Sequence, residues 1–282
     1  MEKQLTKQLE QIARLKKISL AEVWQAVFLE RFLVRIEQSP YKQQFVLKGG
    51  SLLARLLPLE RETRDIDFQV EQILNNAPDL LAIMEHIVSM PVADGFSFKN
   101  VKSETVTHFH TKYPEAQIRV DASFGSVRSR LFIDLGFGEQ LTAKEQPLGL
   151  LQDASGCPLF EESVKLYCST LETIFAEKLE TVTSRGAANS RMKDYHDLYA
   201  IVKKAPACSV QFHESLQKVF SLRNTQQQIP LQFSDKETQS LQKSWQRYCI
   251  GLSKKNKLPK SFSEILEAIN SFISHLIIEK NP

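Results

Sequence analysis

Lys48 to Phe68 reads KGGSLLARLLPLERETRDIDF, and its two ends carry different structural signals. Upstream, FVLK (Phe45–Lys48) is a short apolar run that meets the paired glycines Gly49 and Gly50, and SLLARLL then repeats its leucines at helical spacing. That order predicts a strand, a tight turn and a helix. At the far end, Asp65-Ile66-Asp67-Phe68 alternates acid with apolar residue, the period of a strand with one wet and one buried face.

Two further stretches, IRVDASFG (118–125) and RLFIDLGFG (130–138), alternate in the same way, and DLLAIMEHIVS (79–89) between the strand signals is helical. Residues 1–38 read as helix, because Leu5, Leu9 and Ile12, then Val23, Val27 and Phe28, recur at three- and four-residue steps; Ser19 is placed as the second helix's N-cap. Beyond about residue 160 helical periodicity returns in VKLYCSTLETIFAEKLETV, DYHDLYAIVKK, QSLQKSWQRYC and SEILEAINSFISHLIIEK. The expected fold is therefore α+β: N-terminal helices (1–38) packing on a mixed-sheet domain (39–156), then a helical C-terminal domain (157–282), with the boundary near Gly156.

The 282 residues, 42% of them apolar, suffice for a sizeable core in about two domains. Lys and Arg number 36 against 33 acids, so a formal charge of +3 gives no global nucleic-acid signal and any basic surface must be local. Cys157, Cys168, Cys208 and Cys249 lack the close pairing of a zinc site and fit a reducing cytoplasm. The first residues, MEKQLTKQLEQIARLKK, are charged and amphipathic, unlike an export signal, and the apolar run Phe272 to Ile278 falls short of the roughly 20 residues a membrane helix needs.

The strand period points Asp65 and Asp67 to one face, and adjacent like charges are tolerated most readily where a divalent cation binds between them. An Asp-x-Asp alone is more often an edge strand with solvated acids. A third acid, Asp134 in RLFIDL, stands in an otherwise apolar strand where an unpaired charge is costly, and a metal ligand explains it. Asp65, Asp67 and Asp134 are thus the expected ligands of Mg²⁺ or Mn²⁺, with Asp121 ranked behind Asp134 for the third place. Lys48, Gly49, Gly50 and Ser51 form the phosphate side, since glycines allow close backbone approach and Ser51 opens a helix N-terminus.

These residues resemble the signature of polymerase-β-type nucleotidyltransferases: a Gly-Ser turn, a helix, then an Asp-x-Asp strand. More narrowly, RETRDID is similar to the Arg-x-Ser/Thr-x-Asp-x-Asp form of the AbiEii/AbiGii toxin family, to which the MenT toxins are related. The resemblance covers roughly residues 40–200. It implies a nucleotidyltransferase sheet, transfer of a nucleoside monophosphate from a nucleoside triphosphate (NTP), a bacterial toxin opposed by an antitoxin, and the 3′ end of tRNA as acceptor. A longer spacing between Gly-Ser and Asp-x-Asp than in many such enzymes leaves the exact role of Ser51 open.

In the predicted helix 172–182, Lys178 lies on the apolar stripe of Tyr167, Leu171, Ile174 and Val182, so it needs an inward partner or snorkels at a seam. The resemblance assigns a lysine in this ETIFAEKLE context to nucleotide binding and catalysis. Asp194 and Asp197 share the buried face of RMKDYHDLYAI with Leu198 and Ile201, either pairing with Lys178 or Arg185 or, for Asp194, positioning nucleotide or acceptor. Family members carry an aspartate in a similar Arg-x-x-Asp-x-x-Asp-Leu setting; Asp194 is preferred over Asp197, with an N-cap as its alternative. Arg185 and Arg191 are candidate phosphate contacts, or helix-end charges.

His108 and His110 lack a third ligand, His196 is expected to face elsewhere on its helix, and Trp245 and Tyr248 beside Lys254, Lys255, Lys257 and Lys260 read as core aromatics next to a solvated basic loop. Two rivals share these residues. One is a nucleotidyltransferase acting on a protein or small molecule, and the other is a non-catalytic module whose acids tether a metal.

Overall fold

The computed structural model describes residues 2–57, 65–73, 77–106, 115–137, 142–160, 163–189, 191–205, 210–252 and 258–278. The chain divides into two compact units, Met1–Leu56 with Thr63–Ser169, and Leu57–Glu62 with Thr170–Pro282.

The first unit opens with helices α1 (Glu2–Lys16) and α2 (Leu20–Gln38). Ser19 caps α2: its hydroxyl accepts from the backbone N–H of Glu22, while the Glu22 carboxylate accepts from the Ser19 N–H, so two otherwise orphaned donors are satisfied reciprocally. After a 3-10 turn, β1 (Phe45–Lys48) leads directly into α3 (Gly49–Leu56); β2 (Ile66–Val70), α4 (Ala77–Val88), β3 (Phe96–Val106), β4 (Glu115–Phe124), β5 (Val127–Phe137), β6 (Ala143–Pro147) and β7 (Lys165–Ser169) follow. The strands form one mixed sheet ordered β3-β4-β5-β2-β1-β7-β6. β2 pairs antiparallel with β1 and parallel with β5, and β1 pairs parallel with β7.

The core lies on the face that α2 covers. Trp24 packs on Phe124, Phe28 on Phe96 and Phe32 on Phe98, and Ile66, Phe68, Ile133 and Leu135 are buried beneath. Below α2, Asp94 accepts from Arg31 Nε (2.8 Å) and from Arg35 Nη1 and Nη2 (3.0 Å each), with all three side chains nearly fully buried. Burial raises the Asp94 pKa, but hydrogen bonds from Arg35, Arg31 and the Phe96 backbone outweigh it and hold the carboxyl below its ordinary value.

The expectation of continuous helix over 164–182 fails for its first part. Lys165–Ser169 is β7, because Leu166 and Cys168 point into the core while Lys165 and Tyr167 alternate outward. The helix begins only at Leu171, where the Thr170 hydroxyl accepts from the Thr173 N–H. The second unit is helical: α5 (Leu171–Arg185), α6 (Met192–Lys204), α7 (Val210–Arg223), α8 (Asp235–Ile250) and α9 (Phe262–Ile278). Phe175, Phe212 and Phe272 meet edge-to-face in its core, and Trp245 and Tyr195 pack on Phe262. Among the described residues no helix is long and apolar enough to cross a membrane.

Candidate active site

Strand register builds one row of polar residues on the face opposite the core. Lys48 of β1 pairs with Asp67 of β2, Asp67 with Asp134 of β5, and Asp134 with Gln117 of β4. Adjacent strands are about 4.8 Å apart, so the two carboxylates issue side by side. Both are half-buried, and Gln117 Nε2 donates to Asp134 Oδ1 at 2.8 Å, which fixes that carboxylate's rotation. Asp65 is exposed and stands one residue before β2.

Gly49 is at φ +67°, and a Cβ there would stand 2.2 Å from Asp67 Oδ2; the glycine is what lets the helix start beside the carboxylate. Ser51 is buried in the first turn of α3, and its hydroxyl has no hydrogen-bond partner among the described residues. Lys48 Nζ donates to Gln69 Oε1 at 3.2 Å, and Gly136 leaves room for that pair, since a Cβ at 136 would lie 3.1 Å from Gln69 Oε1 and 3.6 Å from Lys48 Nζ.

Asp121 is set apart from this row. It pairs in register with Arg130, four residues before Asp134, and accepts from Asn100 Nδ2 and Arg130 Nε at 3.1 Å each. Those two hydrogen bonds lower its pKa. Among the described residues no three of His, Cys, Asp and Glu close into a finished cation site. The oxygen donors of Asp67 and Asp134 nonetheless suit a hard divalent cation: they are neighbours on one face, half-buried, with one Asp134 oxygen already held by Gln117.

In the second unit Lys178 is paired. Its ammonium lies 2.6 Å from Asp197 Oδ2 and 3.3 Å from Asp194 Oδ1, with Asp197 fully buried and Lys178 12% exposed. Arg191 Nε approaches Asp194 Oδ2 at 3.3 Å. The partner of the acids is therefore Lys178 together with Arg191; Arg185 is exposed in the last turn of α5. Nor is Asp194 an N-cap, for Arg191 holds that position and Asp194 lies inside the first turn, buried.

His196 is also buried, 2.8 Å from the Tyr248 hydroxyl, so it does turn away from the aspartate pair but into the core. Trp245 is fully buried and donates to the Pro259 carbonyl. His108, His110, Lys254, Lys255 and Lys257 lie outside the described residues. Sequence reading missed Gln117, Gln69 and Ser169, the last a buried hydroxyl at the end of β7 with no hydrogen-bond partner among the described residues. The available signal was amide or hydroxyl at alternating positions of otherwise apolar strands.

Comparison with curated proteins gives no match. Among solved structures, JHP933 from Helicobacter pylori shares 15% identity at a TM-score of 0.45 over 91% of this chain and 92% of its own. An antigenic nucleotidyltransferase-like protein from Paracoccidioides brasiliensis shares 15% identity at 0.38 over 71% of this chain and 89% of its own. The family model described as the nucleotidyl transferase AbiEii toxin of a type IV toxin–antitoxin system matches residues 31–268, a span that holds the whole Lys48–Asp67–Asp134–Gln117 row and the Lys178 cluster, and the chain belongs to that family.

Proposed function

We propose that the protein moves a nucleoside monophosphate from an NTP to the 3′ end of an RNA, with tRNA as the acceptor and an antitoxin protein as its cellular partner. The observation that carries this reading is the register of Asp67 on Asp134 across parallel strands, both facing away from the core beside the helix that Gly49 opens. Family membership supports the transfer chemistry, and no covalent enzyme intermediate is required. A new bond forms between the acceptor oxygen and the α-phosphorus as the bond to pyrophosphate breaks, and the acceptor hydroxyl loses its proton.

Asp65, Asp67 and Asp134 would hold magnesium, which when bound supplies charge neutralisation at the triphosphate and the departing pyrophosphate. The α3 N-terminus, with Gly50 and the unpartnered Ser51 hydroxyl, presents donors for phosphate oxygens. Within the second unit Lys178 is anchored by Asp197 and Asp194, and family membership supports a phosphate-binding role for it. Incubating the protein with Mg²⁺, total tRNA and each α-³²P-labelled NTP tests the reading. Label on RNA that disappears in Asp67→Asn is expected; a folded, control-validated preparation that labels no RNA with any nucleotide overturns the tRNA acceptor.

A further inference from the structure

The sheet face that carries Asp67 and Asp134 also carries a strip of cations. Along β5, Arg128 and Arg130 precede Phe132 and Asp134 at alternate positions; in register beside them on β4 stand Arg119 and Asp121, and on β3 Lys99 and Lys102. Lys99, Lys102, Arg128 and Arg130 are exposed, and Arg119 and Phe132 are half-exposed. Asp121 on this stretch is taken up by Arg130 and Asn100, and the Glu2 carboxylate, bonded to Ser126, lies near Arg128 at its far end. A chain whose charges otherwise nearly cancel to +3 therefore concentrates cations on one surface.

We infer that this strip, Lys99, Lys102, Arg119, Arg128 and Arg130, is the track on which the phosphate backbone of the RNA acceptor lies, so that its end arrives at the Asp67–Asp134 row. This rests on the RNA-acceptor reading and extends it to a surface. At about 3.4 Å per residue, Arg128 is roughly 20 Å from Asp134 along β5, the reach of several nucleotides and far more than an NTP occupies. The bulge between Lys99 and Lys102, with Asn100 at φ +54°, realigns β3 so that both lysines share the face of Asp121 and Arg119. Phosphate contacts of this kind fix where a nucleic acid lies without reading its sequence, and suit an enzyme whose acceptor is chosen by its end. An acidic protein is the other polyanion such a strip could meet, but the strip shares its sheet face with the Asp67–Asp134 row, where the end of an RNA acceptor must arrive.

The test compares wild type with the triple variant Lys99→Gln/Lys102→Gln/Arg128→Gln, all exposed positions outside the polar row. Fluorescein-labelled total tRNA is titrated by anisotropy over a range of KCl, and a fluorescent NTP analogue is titrated in parallel. The triple variant is expected to lose at least about tenfold in tRNA affinity near 0.1 M salt and to flatten the slope of log K against log salt by about 2, while binding the NTP analogue as wild type does. Wild-type affinity and slope in the triple variant overturn the track and reassign the strip to an acidic protein. So does a wild type that binds no tRNA. Failure of the transferase reading looks different: salt-dependent tRNA binding persists, and the NTP analogue neither binds nor labels RNA.

Discussion

Gly49 and Asp67 are in such close contact that no side chain fits between them: a Cβ on Gly49 would fall 2.2 Å from Asp67 Oδ2, on a backbone already at φ +67°. Gly49→Ala therefore meets both a left-handed backbone, costing roughly 1–2 kcal/mol, and displacement of the carboxylate. The expected result is a melting temperature lowered by a few degrees with RNA labelling lost. Full labelling by the variant would remove Asp67 from the site.

Asp67→Asn and Asp134→Asn should each cut labelling by about a hundredfold or more, since charge stabilisation is the main catalytic resource of such a site. Mn²⁺ titration followed by electron paramagnetic resonance should show weaker binding in both, with circular dichroism unchanged. Wild-type Mn²⁺ affinity in either variant counts against that ligand.

Gln117 donates to Asp134, and Gln117→Leu is expected to weaken Mn²⁺ binding about 10- to 100-fold with the fold retained. Gln117→Glu places a second carboxylate 2.8 Å away and should interfere through repulsion. Equal affinities in all three proteins would mean that the hydrogen bond orients nothing.

The aspartates around Lys178 should separate by readout. Asp197, fully buried and 2.6 Å from the ammonium, is chiefly structural: Asp197→Ala leaves a buried lysine short of a partner and should cost about 3–5 kcal/mol in urea unfolding. Asp194→Asn, which keeps shape and hydrogen bonding, should lower labelling more than it lowers stability. The reverse ranking would assign the functional role to Asp197.

Asp94 ties Arg31 and Arg35, and its pKa is depressed in the folded state. Its stabilisation is present above the ordinary carboxylate pKa and is lost as pH falls through the lower folded value. Asp94→Asn should be less stable than wild type at neutral pH, and the gap should narrow as unfolding is measured from pH 5 towards pH 3. A gap independent of pH would mean that the carboxylate's charge contributes nothing.

Sequence period revealed the β1-α3-β2 order and the apolar strand around Asp134, because each is a local pattern, whereas the tight turn expected at Gly49-Gly50 is instead the first turn of α3. It could not show that Asp134 rather than Asp121 faces Asp67, since both alternate outward and only strand register separates them. β7 was hidden because Leu166 and Cys168 sit close to a genuine helical stripe that begins at Leu171. Asp194 and Asp197 were legible as buried acids on one helix face, but their shared lysine lies on another helix and their geometry belongs to tertiary packing.

The order of the strands also sets when the sheet can be completed. β3, β4 and β5 are sequential neighbours that can pair by local hairpins, but β2 must reach β5 across them, and β1, paired with β2, gains its second neighbour only with β7, the last strand of the unit. Such non-local pairings close slowly and late. A ribosome that has made all of Asp65, Asp67 and Asp134 still holds an incomplete sheet until Ser169 has emerged. A chain cut short before Lys165 would thus keep the three aspartates but leave β1 with β2 as its single neighbour.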